Sequence, residues 1–93
     1  LLRAQQQAQA QGYEPVVAGG HCEVDGHHGH YVRPTVVRAA GGIDVAGYTH
    51  TELFGPDLAI EVVRDEAHAL ELATRSDWGL AASVYCGQRE AFE

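Results

Sequence analysis

Apolar and polar positions alternate most regularly in the middle of the chain, over residues 57–64. Every second residue from Leu58 to Val62 is a large aliphatic, which is the period of a strand whose successive side chains point to opposite faces. Asp65 and Glu66 follow at once and favour a helix start, because carboxylates there accept free amide hydrogens and meet the positive end of the helix dipole. The pattern predicts a strand followed by a helix that ends near Ser76.

The helix is expected to turn four apolar side chains inward, those of Ala69, Leu70, Leu72 and Ala73. After it, residues 80–86 are almost continuously apolar, as in a strand that is covered on both faces. A helical crossover between two strands of one sheet makes them parallel. The chain is therefore predicted to be α/β, with a mostly parallel sheet flanked by helices.

The first part of the chain has weaker periodicity but clear boundaries. Residues 1–11 are rich in Gln and Ala and predict a helix that stops at Gly12. Residues 15–18 predict a brief strand, and the β-branched run at 31–38 predicts a longer one. Pro34 lies inside that run and cannot donate to a ladder, which indicates an edge strand or a bulge.

Composition limits the classes of partner. The 93 residues have a net charge of −7, and all six cationic side chains are arginines spread along the chain, so no basic surface for nucleic acid is expected. No window has the roughly 18 consecutive apolar residues of a membrane span. Two cysteines are too few for a disulfide framework and fit a reducing cytoplasm. The bulky Leu at position 1 and a helix start cut off at residues 88–93 predict a piece of a longer protein.

Two motifs stand in order along the chain, Thr-Glu-Leu-Phe-Gly-Pro at 51–56 and Gly-Leu-Ala-Ala-Ser-Val at 79–84. Together they resemble the aldehyde dehydrogenase family, in which the first lies beside the nicotinamide of bound NAD(P) and the second is a buried strand. Gly19-Gly20 and the Tyr-Val-Arg-Pro-Thr segment at 31–35 are similar to two further elements of that family. The resemblance implies that residues 1–93 are part of a catalytic domain, incomplete at both ends.

The resemblance also implies roles for two residues at the end of a Gly-containing loop over 39–51. Glu52 would accept hydrogen bonds from the vicinal hydroxyls of the nicotinamide ribose, and Phe54 would offer an apolar face to the nicotinamide region. The parent protein would oxidise an aldehyde or semialdehyde to its carboxylic acid with NAD or NADP, as a homo-oligomer. The motif wording is similar to that of semialdehyde dehydrogenases of amino-acid catabolism.

The nucleophilic Cys and the general-base Glu of the family lie upstream of this region, so the resemblance implies no catalytic residue within the chain. Cys86 is followed by Gly-Gln, the reverse of the family's order around its nucleophile, and is expected to be a buried small hydrophobe at the end of a strand. The chain departs from the family pattern at four positions, Thr51, Asp57, Thr74 and Trp78. None of these removes the carboxylate of Glu52.

Two alternatives remain beside an active dehydrogenase. One is a non-catalytic domain that keeps the family's fold. The other is a metal-binding module at residues 21–30, where imidazole, thiolate and carboxylate groups suit Zn²⁺ or Ni²⁺. Its potential ligands are His21, Cys22, Glu23, Asp25, His27, His28 and His30. Their spacing matches no structural zinc pattern, so a solvated connection without metal is the expectation for this segment.

Overall fold

A computed structural model describes residues 1–39 and 48–89. The elements along the chain are α1 (Leu2–Ala10), β1 (Tyr13–Val17), β2 (Gly20–Val24), β3 (His27–Arg33), β4 (Thr35–Ala39), β5 (Asp57–Glu61) and α2 (Glu66–Thr74). Most of the loop predicted over 39–51 and most of the helix start predicted over 88–93 lie outside the described residues.

The strands form two sheets. In the larger one β4 lies between β1 and β5, antiparallel to β1 and parallel to β5. In the smaller one β2 and β3 form an antiparallel pair. The α/β class is confirmed, but a mostly parallel sheet is not, because only one of the three strand pairs among the described residues is parallel. Short connections, such as the two-residue turn between β2 and β3, can join only antiparallel neighbours.

The predicted first helix is confirmed as α1, which packs on β1. Gly12 lies just beyond the C-cap residue Gln11 and adopts a φ of 96°, a conformation that costs glycine little and other residues more. The chain can therefore turn sharply from the helix into the sheet. Around this turn lies the hydrophobic core of the described residues, which consists of Ala8, Tyr13, Val37, Ala39 and Tyr48.

The predicted second helix is also confirmed, with the expected cap. The Asp65 carboxylate accepts a hydrogen bond from the His68 amide at 2.8 Å, which satisfies one of the free amides of the first turn. Of the side chains expected to face inward, Ala69 and Leu72 are half-buried, whereas Leu70 and Ala73 are exposed. No helix in the described parts of the chain is long and apolar enough to cross a membrane.

Pro34 divides the strand predicted at 31–38 between the two sheets. The chain pairs with β2 up to Arg33 and with β1 and β5 from Thr35 onward. Since proline has no amide hydrogen, the ladder is interrupted at the point where the chain changes sheet. The polar segment at 21–30, predicted to be a connection, consists mostly of the strands β2 and β3.

The strand predicted at 80–86 is absent from the described residues, and so is the parallel crossover that depended on it. The segment has no ladder pairing, and its side chains are exposed, Leu80 and Tyr85 almost completely. An apolar run becomes a buried strand only where a neighbouring strand pairs with its backbone and other elements cover its faces. Neither is provided here by residues 1–39 or 48–89.

Candidate functional site

Residues 48–56, which we term the motif loop, lead into β5 and carry the candidate cofactor contacts. The Thr35 amide donates a hydrogen bond to the Pro56 carbonyl at 3.0 Å, which fixes the end of the loop against the start of β4. The Thr51 amide donates to the Tyr48 carbonyl at 3.3 Å, which closes a turn at the beginning of the loop. Both ends of the motif loop are thus held by backbone hydrogen bonds.

A side-chain hydrogen bond joins the two ends of the loop to each other. The Tyr48 hydroxyl donates to Oδ1 of Asp57 at 2.5 Å, and the Gln5 amide nitrogen lies 3.4 Å from the same oxygen. Tyr48 is only 5% exposed and Gln5 only 7%. Burial of the phenol, and then its hydrogen bond to Asp57, raise the pKa of Tyr48 well above its usual value. The hydroxyl therefore remains protonated and available as a donor.

The Tyr48 ring is part of the hydrophobic core. Its centroid lies 5.3 Å from that of Tyr13, with the ring planes tilted by 50°, a separation within the favourable range for aromatic pairs. Leu53, at the centre of the loop, is half-buried and packs against the same core. The base and the middle of the loop are thus attached to the sheet and to α1.

Glu52 and Phe54 flank Leu53 and are both exposed, Phe54 to 87%. Alternation of side chains along an extended segment explains the arrangement, since the residue between them faces the core. Within residues 1–39 and 48–89, the Glu52 carboxylate has no hydrogen bond or ion pair. Both predicted contact residues therefore lie on the exposed side of the loop, where their side chains are accessible to a ligand.

Trp78 provides a further contact to the loop. Its indole Nε1 donates a hydrogen bond to the His50 carbonyl at 3.2 Å, over a sequence separation of 28 residues. The sequence identified Trp78 only as a departure from the family's more frequent Tyr. A tyrosine at this position could donate only from its phenolic hydroxyl, and would therefore need a different geometry to bond the same carbonyl.

Neither cysteine is in a disulfide. The expectation that Cys86 is a buried hydrophobe is wrong for the described structure, because Cys86 is exposed. Its thiol lies 3.1 Å from the Gln88 carbonyl, a local contact within a segment that has no ladder partner. The prediction failed together with that of the strand at 80–86.

The hairpin formed by β2 and β3 distributes its potential metal ligands along two strands. His21 is opposite Val32, and Cys22 is opposite Tyr31, so neither of these two ligand-type residues faces a His, Cys, Asp or Glu on the partner strand. Among the described residues, no group of three or more His, Cys, Asp or Glu side chains is arranged to hold a metal ion. The hairpin therefore gives no support to the metal-binding alternative.

The contact between Tyr48 and Asp57 could not be predicted from the sequence pattern. One of the two residues does stand out in the sequence, because Asp57 directly follows Gly-Pro, where the aldehyde dehydrogenase pattern usually has an aliphatic residue. A carboxylate at the first position of a strand needs a polar partner if it is even partly buried. Nothing in the local pattern identified Tyr48 as that partner.

Comparison with known proteins gives a consistent result over the whole chain. The aldehyde dehydrogenase family profile matches residues 1–93. A (Z)-2-((N-methylformamido)methylene)-5-hydroxybutyrolactone dehydrogenase of Acinetobacter baylyi is 38% identical over 80 residues, which are 86% of this chain and 16% of that protein. A succinate-semialdehyde dehydrogenase (NADP+) of Deinococcus radiodurans is 40% identical over 84 residues, 90% of this chain and 17% of the relative.

An acetaldehyde dehydrogenase of Pseudomonas aeruginosa is 31% identical over 80 residues, 84% of this chain and 15% of the relative. The chain thus spans only 15% to 17% of the length of these curated relatives. No solved structure matches it significantly. The profile match over all 93 residues, together with the ordered motifs at 51–56 and 79–84, shows that this chain belongs to the aldehyde dehydrogenase family.

Proposed function

We propose that the protein containing this chain oxidises an aldehyde or semialdehyde to its carboxylic acid with NAD or NADP. The observation that carries the proposal is the motif loop, which presents Glu52 and Phe54 outward from a base that is fixed in the core. Family membership supports the reaction class. The succinate-semialdehyde dehydrogenase among the relatives supports a semialdehyde as substrate and NADP as one of the two cofactors to test.

In this proposal the Glu52 carboxylate binds the nicotinamide ribose. The Glu52 side chain suits a ribose, because the carboxylate is exposed and unpaired within the described residues and can accept hydrogen bonds from two neighbouring hydroxyls. Such charge-assisted bonds contribute about 1.5–3 kcal/mol each. The cofactor supplies the hydride acceptor, and the contribution of Glu52 is to orient it.

Phe54 is proposed to cover the nicotinamide region. Phe54 is 87% exposed, so its ring offers an apolar face that a bound aromatic ring would remove from water. Leu53 holds the intervening backbone against the core. The two side chains together form a polar and an apolar contact for adjacent parts of one ligand.

The nucleophile and the general base are proposed to come from the region upstream in the parent protein, which we expect to be a cytoplasmic homo-oligomer. Covalent capture of the aldehyde by a thiolate divides the reaction into hydride transfer and thioester hydrolysis. This chain would contribute cofactor contacts alone. The purified 93-residue chain is accordingly expected to oxidise no aldehyde, and NAD(P)-dependent turnover by it would contradict this division of roles.

The experiment that tests the function uses the full-length protein. It is assayed with succinate semialdehyde and acetaldehyde, each with NAD and with NADP, and reduced cofactor is measured by absorbance. Reduction that requires both aldehyde and cofactor is the expected result. If the protein binds the cofactor but neither aldehyde leads to cofactor reduction, the non-catalytic alternative is correct.

A further inference from the structure

The contact between Tyr48 and Asp57 closes the motif loop into a ring. The two residues are nine positions apart and their side chains meet at 2.5 Å, so the hydrogen bond spans the whole segment that carries Glu52 and Phe54. A hydroxyl that donates to a carboxylate makes one of the shorter and stronger hydrogen bonds in proteins. The ends of the loop are therefore fixed relative to each other independently of the backbone bonds.

The surroundings of this contact shield it partly from water. Tyr48 is buried against Tyr13, and Gln5 of α1 lies beside the carboxylate of Asp57. A hydrogen bond in such a site is screened less by solvent than one on the surface, and loss of one partner leaves the other unsatisfied. Asp57 is also the first residue of β5 and is paired with Thr35 of β4, so the contact connects the loop to the sheet.

The outer residues of the loop have no comparable support of their own. Among the described residues, Glu52 makes no hydrogen bond, and Phe54 is largely exposed. Their positions therefore depend on the fixed base and on Leu53. Catalytic alignment is sensitive to such support, because small displacements of a positioned reactant cause large losses of rate.

We infer that Tyr48 and Asp57 are positioning residues, which hold Glu52 and Phe54 in the geometry required to align the nicotinamide for hydride transfer. This inference rests on the proposed function. It gives a role to Asp57, which stands where the family pattern has an aliphatic residue. Tyr48 is the residue that donates a hydrogen bond to the Asp57 carboxylate. Neither residue touches the substrate or the cofactor in this proposal.

The test compares variants of the full-length enzyme. Tyr48→Phe removes the donor and keeps the ring, whereas Asp57→Asn keeps an acceptor but removes its charge. We expect Tyr48→Phe to lower kcat for aldehyde oxidation at saturating cofactor by about three- to tenfold, and Asp57→Asn by a smaller factor. Ester hydrolysis by the upstream Cys needs no hydride acceptor and should stay within about twofold of wild type for both variants.

A matched control separates positioning from loss of stability. Asp65→Ala removes the cap of α2, away from the motif loop, and should lower Tm while leaving the ratio of dehydrogenase to esterase activity unchanged. Hydrogen exchange adds a readout that does not depend on turnover. The amides of residues 51–54 should exchange faster in Tyr48→Phe than in wild type, and at the wild-type rate in Asp65→Ala.

An unchanged activity ratio or unchanged exchange in Tyr48→Phe would overturn the inference, as would an equal change in Asp65→Ala. If Tyr48→Phe does not fold, Asp57→Asn decides by the same two measurements. Failure of the proposed function would look different. In that case the wild-type enzyme would oxidise no aldehyde, or Glu52→Gln would retain full dehydrogenase activity whatever the behaviour of Tyr48 variants.

Discussion

The base and the outer side of the motif loop lie in opposite environments, although only a few residues separate them. At the base, Tyr48 is 5% exposed and bonded to Asp57. On the outer side, Phe54 is 87% exposed and Glu52 has no polar partner within the described residues. The difference indicates that the buried residues hold the loop in place, whereas the exposed residues, the proposed binding groups, are left free. Substitutions at the two places should therefore differ in kind.

The largest effect is expected for Glu52→Gln in the full-length enzyme. Gln keeps the size of the side chain but should weaken the two proposed charge-assisted bonds to the ribose, a loss of roughly 1–3 kcal/mol in cofactor positioning. Expressed as a ratio of rates, this loss predicts that kcat for aldehyde oxidation falls about 5- to 150-fold. Little change in Tm is expected. Steady-state assays at saturating aldehyde, beside ester hydrolysis as the control, measure this.

Equal losses of dehydrogenase and esterase activity would place Glu52 among the residues that stabilise the fold, which would remove the contrast between the base and the outer side. No loss in either activity would make Glu52 a solvated residue without a ligand. The contrast is supported if dehydrogenase activity alone is lost while esterase activity and Tm stay unchanged.

Next in size is Gly19→Ala, which tests the base. A Cβ at Gly19 would overlap the Thr35 hydroxyl, and Thr35 is the residue whose amide holds Pro56 at the end of the motif loop. Overpacking of this kind costs typically about 1–3 kcal/mol, so Tm should fall. Gly79→Ala is the matched control, because a Cβ there meets no atom within 4 Å. Equal Tm changes in the two variants would contradict the close approach at Gly19.

A smaller effect is expected for Asp65→Ala. Loss of an N-cap typically costs about 1 kcal/mol, and Asp65→Asn, which keeps an oxygen acceptor, should cost less. Thermal unfolding followed by circular dichroism gives the comparison. Because the cap lies outside the loop, neither variant should change the ratio of dehydrogenase to esterase activity, and a change in that ratio would show that α2 helps to position the loop.

Chelation should have no effect. The hairpin of β2 and β3 is exposed like the outer side of the loop, and its histidines are not grouped as metal ligands among the described residues. A domain that depends on zinc loses its fold when the metal is removed. EDTA should therefore leave the circular dichroism spectrum unchanged, and collapse of the spectrum would establish the metal-binding alternative.

The elements that sequence analysis predicted correctly are those with local determinants. α2 begins after Asp65 because the carboxylate caps an amide only three residues away, and α1 ends before Gly12 because that residue takes a positive φ. In each case the interacting groups lie within a few positions of one another, so the sequence pattern contains the whole interaction.

The elements that it missed depend on distant partners. Residues 80–86 have the composition of a buried strand, but composition does not supply the neighbouring strand, and Leu80 and Tyr85 are exposed. The alternation around β5 was recognised, yet Leu58 is exposed and Ala59 faces the core. A period of two identifies two faces but does not state which one the fold covers. The bond from Tyr48 to Asp57 is non-local in the same sense.

Pro34 has a consequence for how the chain tolerates change. Because the ladder is interrupted there, the hairpin of β2 and β3 is a separate sheet that joins the loop-bearing sheet at its two ends. Its turn at Asp25 and Gly26 is exposed, as are the sites at which proteins usually accept inserted segments. A short epitope or a fluorophore attachment site could be placed at this turn without disturbing the hydrogen bonds at the base of the motif loop. The hairpin is thus a suitable place to label the protein while the motif loop remains intact.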